Sequence, residues 1–147
     1  MELKTASAIV FFAKKLEEDS EGFYERLAQR YTRNKDILLS FAAENKKNAA
    51  QIERTYFEVI SDAIEGCFAF DINSDEYALT NELAEDAGYS EVLDTAIQME
   101  DKIVTFYINA ADQSRSLMAD IPRVFTIIAK KKRARILTLT SLMNEQG

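Results

Sequence analysis

The sequence predicts an all-α fold in one domain; two features of the chain support the helices, and its length supports the single domain. Only 4 of its 147 residues are glycine and only 1 is proline, so few positions interrupt regular structure. Its apolar residues recur at spacings of three and four, which is the period of an amphipathic helix. A chain of this length buries about 70% of the surface that its unfolded form exposes. We therefore expect residues 1–147 to form one helical domain.

The first predicted helix spans residues 5–32 and has one apolar face. That face carries Ile9, Phe12, Ala13, Leu16, Phe23, Tyr24, Leu27 and Tyr31. The second predicted helix begins after Asn34, a residue suited to an N-cap, and ends at Gly66, a residue suited to a C-cap. Its apolar face carries Leu38, Phe41, Ala42, Ala49, Ile52, Tyr56, Val59 and Ile60. The link between these two helices is short.

The third predicted helix begins at Ser90, and the fourth begins with Asp120 and has Pro122 in its first turn. Their apolar faces carry Val92, Ala96, Met99, Ile103, Phe106, Tyr107 and Ala110 on the third, and Val124, Phe125, Ile128, Leu139 and Leu142 on the fourth. The link between helices two and three, residues 67–89, is much longer. Within it we expect a short helical piece that Asn73 or Ser74 caps and Gly88 ends. A link of this length predicts a four-helix bundle with a crossover between helices two and three.

The composition excludes several classes of function. The chain has no histidine, so Ser-His and Cys-His nucleophile pairs and histidine metal ligands are excluded. Its single cysteine, Cys67, excludes an intrachain disulfide and agrees with a reducing compartment. A net charge of −7 argues against nucleic-acid binding, and no apolar run approaches the ~20 residues of a membrane helix. We expect a soluble cytoplasmic protein without nucleic-acid or membrane partners.

An internal repeat relates the two halves of the chain. Glu17 and Glu100 lie 83 residues apart, and each is followed by a Phe-Tyr pair after five residues. Helices two and four show a fainter relation with a shift of 87 residues. Polar residues occupy equivalent places on the apolar faces of all four helices, and we expect them to share one layer of the bundle interior. This set, the polar layer, consists of Glu17, Asn45, Asn48, Glu100, Lys132 and Arg135.

Two helix pairs, a long crossover and Glu-x5-Phe-Tyr on helices one and three resemble the ferritin-like superfamily, in particular the rubrerythrin-like group. The resemblance covers essentially the whole chain and implies a di-iron site. In that family one Glu comes from each of helices one and three, and a Glu-x-x-His comes from each of the other two helices. The resemblance assigns Glu17 and Glu100 as residual metal ligands.

Most of the ligands that the resemblance implies are absent from this sequence. Asn45 and Asn48 stand where helix two of the family has Glu and His. Lys132 and Arg135 stand at the equivalent positions of helix four. Rubrerythrins also have a further Glu one turn after the carboxylate of helix three, where this chain has Ile103. Four of the six family ligands are therefore replaced.

Charge balance leads from these replacements to a prediction. Glu17 and Glu100 carry two negative charges and Lys132 and Arg135 carry two positive charges, so the layer is neutral without a metal ion. A metal cation that entered the layer would be repelled by the two cationic side chains. The repulsion costs roughly 4 kcal/mol for each like-charge contact at ~4 Å and an effective dielectric constant near 20. We predict a degenerate di-iron site with no cofactor, in a non-catalytic structural or interaction protein.

Three alternatives stay open at this point. The retained glutamates could bind a single metal ion weakly, with iron as the expected metal, and support oxidoreductase activity. Lys132 and Arg135 could instead hold an anion or another small ligand. Both cationic side chains could also lie at the rim of the bundle and extend into solvent.

Apolar residues outside the predicted core suggest a partner. Phe11 points away from the apolar face of helix one, and Leu39 and Phe57 lie at the edge of that of helix two. A homo-oligomer, as a dimer, would cover them. The basic run at residues 130–135 lies within a helical pattern, and we interpret it as a solvated face with some inward charges rather than a nucleic-acid site.

Overall fold

A computed structural model of the chain describes residues 1–59, 70–79, 83–115 and 120–146. Its elements are β1 (Glu2–Leu3), α1 (Ala6–Arg30), α2 (Lys35–Val59), β2 (Ile72–Asn73), a 3-10 helix (Ser74–Tyr77), α3 (Tyr89–Ser114) and α4 (Asp120–Gln146). The four predicted helices and the all-α class are confirmed. The predicted C-cap at Gly66, and Cys67, lie outside the described residues.

The helices form two pairs, α1 with α2 and α3 with α4, and α2 also packs against α4. Ion pairs show that α1 and α2 are antiparallel, because Lys14 pairs with Glu53 at 2.6 Å whereas Glu21 pairs with Lys46 at 3.5 Å. The apolar faces of the helices meet in the interior, where Ile9, Phe23, Leu27, Leu38, Phe106, Ile128 and Leu139 are fully or almost fully buried. None of the helices in the described part of the chain has an apolar stretch long enough to cross a membrane.

The described residues of the link between α2 and α3 contact both ends of the bundle. At one end, β2 pairs antiparallel with β1, directly before α1 begins. At the other end, the hydroxyl group of Tyr31 donates to the carbonyl oxygen of Ala87 at 2.6 Å, and the Asn34 amide donates to the Tyr89 hydroxyl at 2.9 Å. The start of α3 therefore lies beside the loop between α1 and α2, which confirms the predicted crossover.

One detail of this link agrees with the expectation, and two differ from it. The side chain of Asn73 caps the 3-10 helix by accepting from the backbone N–H of Asp75 at 3.0 Å, as predicted. Gly88 does not end that helix, however, because the 3-10 helix stops at Tyr77 and Gly88 is the N-cap of α3. The β1–β2 pair was not predicted either, since a two-residue strand has no periodicity to detect.

Candidate functional site

All six residues of the polar layer lie in the interior of the bundle. The two glutamates, the two asparagines and Lys132 have 0% exposure, and Arg135 has 2%. The structure therefore excludes the alternative in which Lys132 and Arg135 extend from the rim into solvent. Each residue is positioned by its place on the apolar face of a long helix, where the neighbouring turns are buried.

Lys132 lies at the centre of the layer and joins three other helices. Its Nζ atom is 2.9 Å from Oε2 of Glu17 on α1 and 3.5 Å from Oε1 of Glu100 on α3. The same atom donates to Oδ1 of Asn45 on α2 at 2.9 Å. An ammonium group has three N–H donors, so these three acceptors can use all of them.

Arg135, one turn further along α4, makes a second set of contacts. Its Nη1 atom donates to Oδ1 of Asn45 at 2.8 Å and lies 3.3 Å from Oε2 of Glu100. Its Nη2 atom donates to Oε1 of Glu44 at 2.7 Å and to the carbonyl oxygen of Phe41 at 3.2 Å. The guanidinium group thus reaches from the buried layer to a partly exposed carboxylate.

Aromatic rings complete the surroundings of the Arg135 guanidinium group. Its Cζ atom is 4.8 Å from the centroid of the Phe41 ring and 5.2 Å from that of Tyr24. A cation over an aromatic face is attracted by the ring quadrupole, and the attraction is stronger where water is excluded. The cation is therefore stabilised by rings as well as by carboxylates.

Asn48 and Arg135 hold equivalent positions in the two halves of the chain, and their contacts are equivalent too. Asn48 donates through Nδ2 to Oε1 of Glu17 at 2.7 Å, while Arg135 pairs with Glu100. The sequence shifts of 83 and 87 residues thus relate residues that contact the glutamate of the same helix pair in each half of the chain.

Two contributing residues were missed by the sequence analysis. Ser20 is fully buried, accepts from Nδ2 of Asn45 at 2.9 Å and donates to Oε1 of Glu100 at 3.2 Å. Its sequence position could have identified it, because Ser20 lies three residues after Glu17 on the same apolar face of the helix. The sequence position of Glu44 could not have identified it, because Glu44 lies outside the apolar face of α2. Its side chain is 36% exposed in the structure.

Burial and charge act on the ionisable groups in opposite directions. Burial raises the pKa of the Glu17 carboxyl group above its ordinary value of 4.5, although Lys132 opposes this shift. Burial alone would lower the pKa of the Arg135 guanidinium, but Glu100, Tyr24 and Glu44 together raise it. Burial also raises the pKa of the Tyr24 and Tyr107 hydroxyl groups, so both stay protonated at neutral pH.

The donors present in this layer do not fit a di-iron centre. Oxygen atoms of Glu17 and Glu100 that would bind metal already contact the Lys132 ammonium group or the Arg135 guanidinium group. Oδ1 of Asn45 accepts from both cations. Within residues 1–59, 70–79, 83–115 and 120–146, no group of three or more His, Cys, Asp or Glu side chains could hold a metal ion.

Comparisons with known proteins bear on the fold. Neither a protein-family model nor a curated protein sequence matches the chain. A solved structure of a candidate ferritin-like diiron-carboxylate protein from Thermotoga maritima matches it with a TM-score of 0.75 at 22% sequence identity. The match covers 99% of this chain and 98% of that one. This chain therefore has the ferritin-like four-helix fold that its helix pairs and crossover predicted.

Proposed function

We propose that this chain is a rubrerythrin-type ferritin-like bundle that has lost its di-iron ligands and serves as a non-catalytic structural or interaction protein. The observation that supports the proposal most directly is the position of Lys132. Its ammonium group lies between the two retained glutamates, at 2.9 Å from Glu17 and 3.5 Å from Glu100. The charge that iron would supply in a family site is supplied here by the chain itself.

Electrostatics favours this state over a metal-bound one. Glu17 and Glu100 carry two negative charges, and Lys132 and Arg135 carry two positive charges. A divalent ion entering this neutral layer would meet both cations, at a cost of roughly 4 kcal/mol for each like-charge contact at ~4 Å and an effective dielectric constant near 20. The two carboxylates and Oδ1 of Asn45 already contact the cations, and the one free amide oxygen, Oδ1 of Asn48, is too little to offset that cost.

A charged layer of this kind has a structural role of its own. Each helix contributes at least one polar residue, and the charges are paired only when all four helices are in the observed register. A helix displaced by one turn would leave a buried charge without its partner, which is strongly destabilising. The layer therefore favours a single packing arrangement, as a buried polar residue does in a coiled coil.

Metal analysis tests the proposal. The wild-type chain is expressed in iron-rich medium, purified without chelators, and measured for iron and manganese by elemental analysis. We expect far less than one metal ion per chain. Near-stoichiometric iron or manganese would overturn the proposal and support the alternative of a metal site formed by Glu17 and Glu100.

A variant with the family ligands restored provides the matched control. Asn45→Glu, Asn48→His, Lys132→Glu and Arg135→His together place the family's donor set on the same backbone. We expect this variant to bind about two iron ions per chain under conditions in which the wild type binds almost none. Equal metal content in the two proteins would contradict the view that these four positions exclude the metal.

A further inference from the structure

We propose that the exposed face of α4 binds an acidic amphipathic helix of a partner protein. α4 carries six basic and two acidic residues, in a chain whose net charge is −7. No aspartate or glutamate lies between Asp120 and Glu145, although 25 of the 147 residues are acidic. α4 is therefore positively charged while the rest of the chain is negatively charged on balance, and its outer face attracts an anionic partner.

Three cations of this face have no ion-pair partner in the described part of the chain. Lys130, Lys131 and Arg133 are exposed. Two other basic residues of α4, Lys132 and Arg135, differ because they point inward and pair with the buried glutamates. An acidic partner can therefore pair with the three exposed cations without breaking an existing ion pair.

Apolar side chains lie along the same face of α4. Ile127, Ala134 and Leu137 are exposed, and Leu137 has 73% exposure. With Lys130 they recur at spacings of three, four and three residues, which places them along one side of the helix. The small side chain of Ala134 allows a second helix to approach closely, and Ile127 and Leu137 offer it apolar contacts. The face therefore fits a partner helix that is apolar on one side and acidic at its edges.

The narrow width of the basic face favours a helix over a membrane or a nucleic acid. α3 packs against α4 and carries the exposed carboxylates of Asp94 and Asp101. An anionic bilayer extends further than one helix and would be repelled by these carboxylates. A helix is about 10–12 Å in diameter and can lie along the basic residues alone. The described residues of α4 also include no exposed aromatic side chain on which a base could stack.

Binding of a synthetic peptide tests this proposal. The probe is a fluorescein-labelled helix of about 20 residues, with leucine on one face and glutamate and alanine elsewhere. We expect fluorescence anisotropy to show saturable binding to the wild-type chain, and the binding should weaken as the salt concentration rises. The same peptide with glutamine in place of every glutamate should bind roughly tenfold more weakly. An acidic peptide that does not bind, or that binds no better than the glutamine peptide, would overturn the proposal.

Two triple variants of the chain show where the peptide binds. The first reverses the unpaired cations of α4, as Lys130→Glu, Lys131→Glu and Arg133→Glu, and should weaken binding roughly tenfold. The second makes the same change of charge at three exposed lysines outside α4, as Lys4→Glu, Lys15→Glu and Lys35→Glu. It should bind nearly as the wild type does, and circular dichroism checks that both variants are folded. Equal weakening in the two variants would contradict a site on α4.

The apolar contact has its own pair of variants. Leu137→Ser should weaken binding of the peptide severalfold, because it removes an apolar contact from the centre of the interface. Phe57→Ser changes a residue of similar exposure (71%) on α2 and should leave the binding unchanged. Equal effects of the two substitutions would contradict an interface that includes Leu137.

Other anionic probes test the choice of partner. Vesicles of anionic phospholipid and a DNA duplex are added to the wild type and to the α4 triple variant. Tighter binding of either probe than of the peptide, lost in the α4 variant, would overturn the proposal in favour of a membrane or nucleic-acid partner. The proposal rests on the interaction role proposed above, but the two can fail separately. Near-stoichiometric metal would overturn the metal-free site without changing peptide binding, and absent peptide binding would leave the metal content unchanged.

Discussion

A buried ion pair is costly to break from one side only, and Lys132 provides a direct test at the scale of single residues. Lys132→Met removes the cation that contacts Glu17 and Glu100 and leaves Glu17 without its ion-pair partner. We expect the free energy of unfolding to fall by about 3–5 kcal/mol, the range for one broken buried pair. Chemical denaturation followed by circular dichroism measures the change.

The double variant Lys132→Met with Glu17→Gln is the control for this prediction. Removing charge on both sides leaves no unpaired ion between α1 and α4, so the double variant should be more stable than Lys132→Met alone. The two substitutions lie in contact, so their effects should not add. A double variant that loses the sum of the two single effects would show that the charges do not act as a pair.

The raised pKa of Glu17 predicts a dependence of stability on pH. Because the pKa of this carboxyl group is higher in the folded chain than its ordinary value of 4.5, the folded state binds more protons between the two values. The contribution of Glu17 to stability is therefore fully present below pH 4.5 and is lost as the pH rises through the raised pKa. We expect the stability of the wild type relative to Glu17→Gln to decrease from pH 4.5 to pH 7.

Denaturation of both proteins across this pH range checks that prediction. Comparing them at each pH removes the titration of the groups that do not interact with Glu17, which the two proteins share. A difference that grows with pH would mean that Lys132 lowers the pKa of Glu17 more than burial raises it.

The polar layer could be predicted from the sequence because its members interrupt apolar faces that the helical period defines. Glu17 and Glu100 stood out further because the repeat placed them in matching contexts. The individual contacts could not be predicted, since they depend on side-chain conformations and on helix rotation. Glu44 shows this limit, because nothing in its sequence position indicates that Arg135 reaches it.

At the scale of elements, Asn34 determines the conformation of the loop that connects α1 to α2. Its backbone has φ 60°, in the left-handed region that non-glycine residues rarely adopt, and its side-chain amide donates to the Tyr89 hydroxyl. Asn34→Ala should lower the free energy of unfolding by about 1–2 kcal/mol, because alanine is strained there and cannot make the hydrogen bond. Asn34→Gly relieves the strain and should lose less.

Thermal and chemical denaturation of the two Asn34 variants compares strain with hydrogen bonding. Tyr89→Phe removes the hydroxyl group but leaves the backbone of Asn34 unchanged, so it isolates the contribution of the hydrogen bond. An alanine variant as stable as the glycine variant would show that the left-handed conformation is not a source of strain.

The starts of the four helices were predicted to within about one residue, whereas the crossover was predicted only in outline. Caps and the apolar period act locally, so α1, α3 and α4 begin within one residue of the expected positions. Gly88 was misassigned because a glycine beside a helix can precede it as well as end it. The pairing of β1 with β2 joins residues about 70 positions apart and has no local signal.

At the scale of the whole molecule, α2 leaves two large apolar side chains exposed among the described residues. Leu39 and Phe57 are 39% and 71% exposed. They are 18 residues apart, which is five turns, so they lie on the same face. Between them the exposed Ala43 and Ala50 leave room for the close approach of another helix. Lys46 and Glu53 of the same helix already pair with Glu21 and Lys14 of α1.

We therefore expect a two-fold homodimer in which α2 packs antiparallel against α2 of a second copy. A two-fold axis near Ala50 would place the exposed Ala43 of each copy opposite Phe57 of the other and would cover both copies of Phe57. Light scattering at micromolar concentration should give the mass of a dimer for the wild type and of a monomer for Phe57→Glu. Leu137→Glu, which changes a side chain of similar exposure (73%) on α4, should remain dimeric because that face is not in the contact. A monomeric wild type, or a dimer that Phe57→Glu leaves intact, would contradict this arrangement.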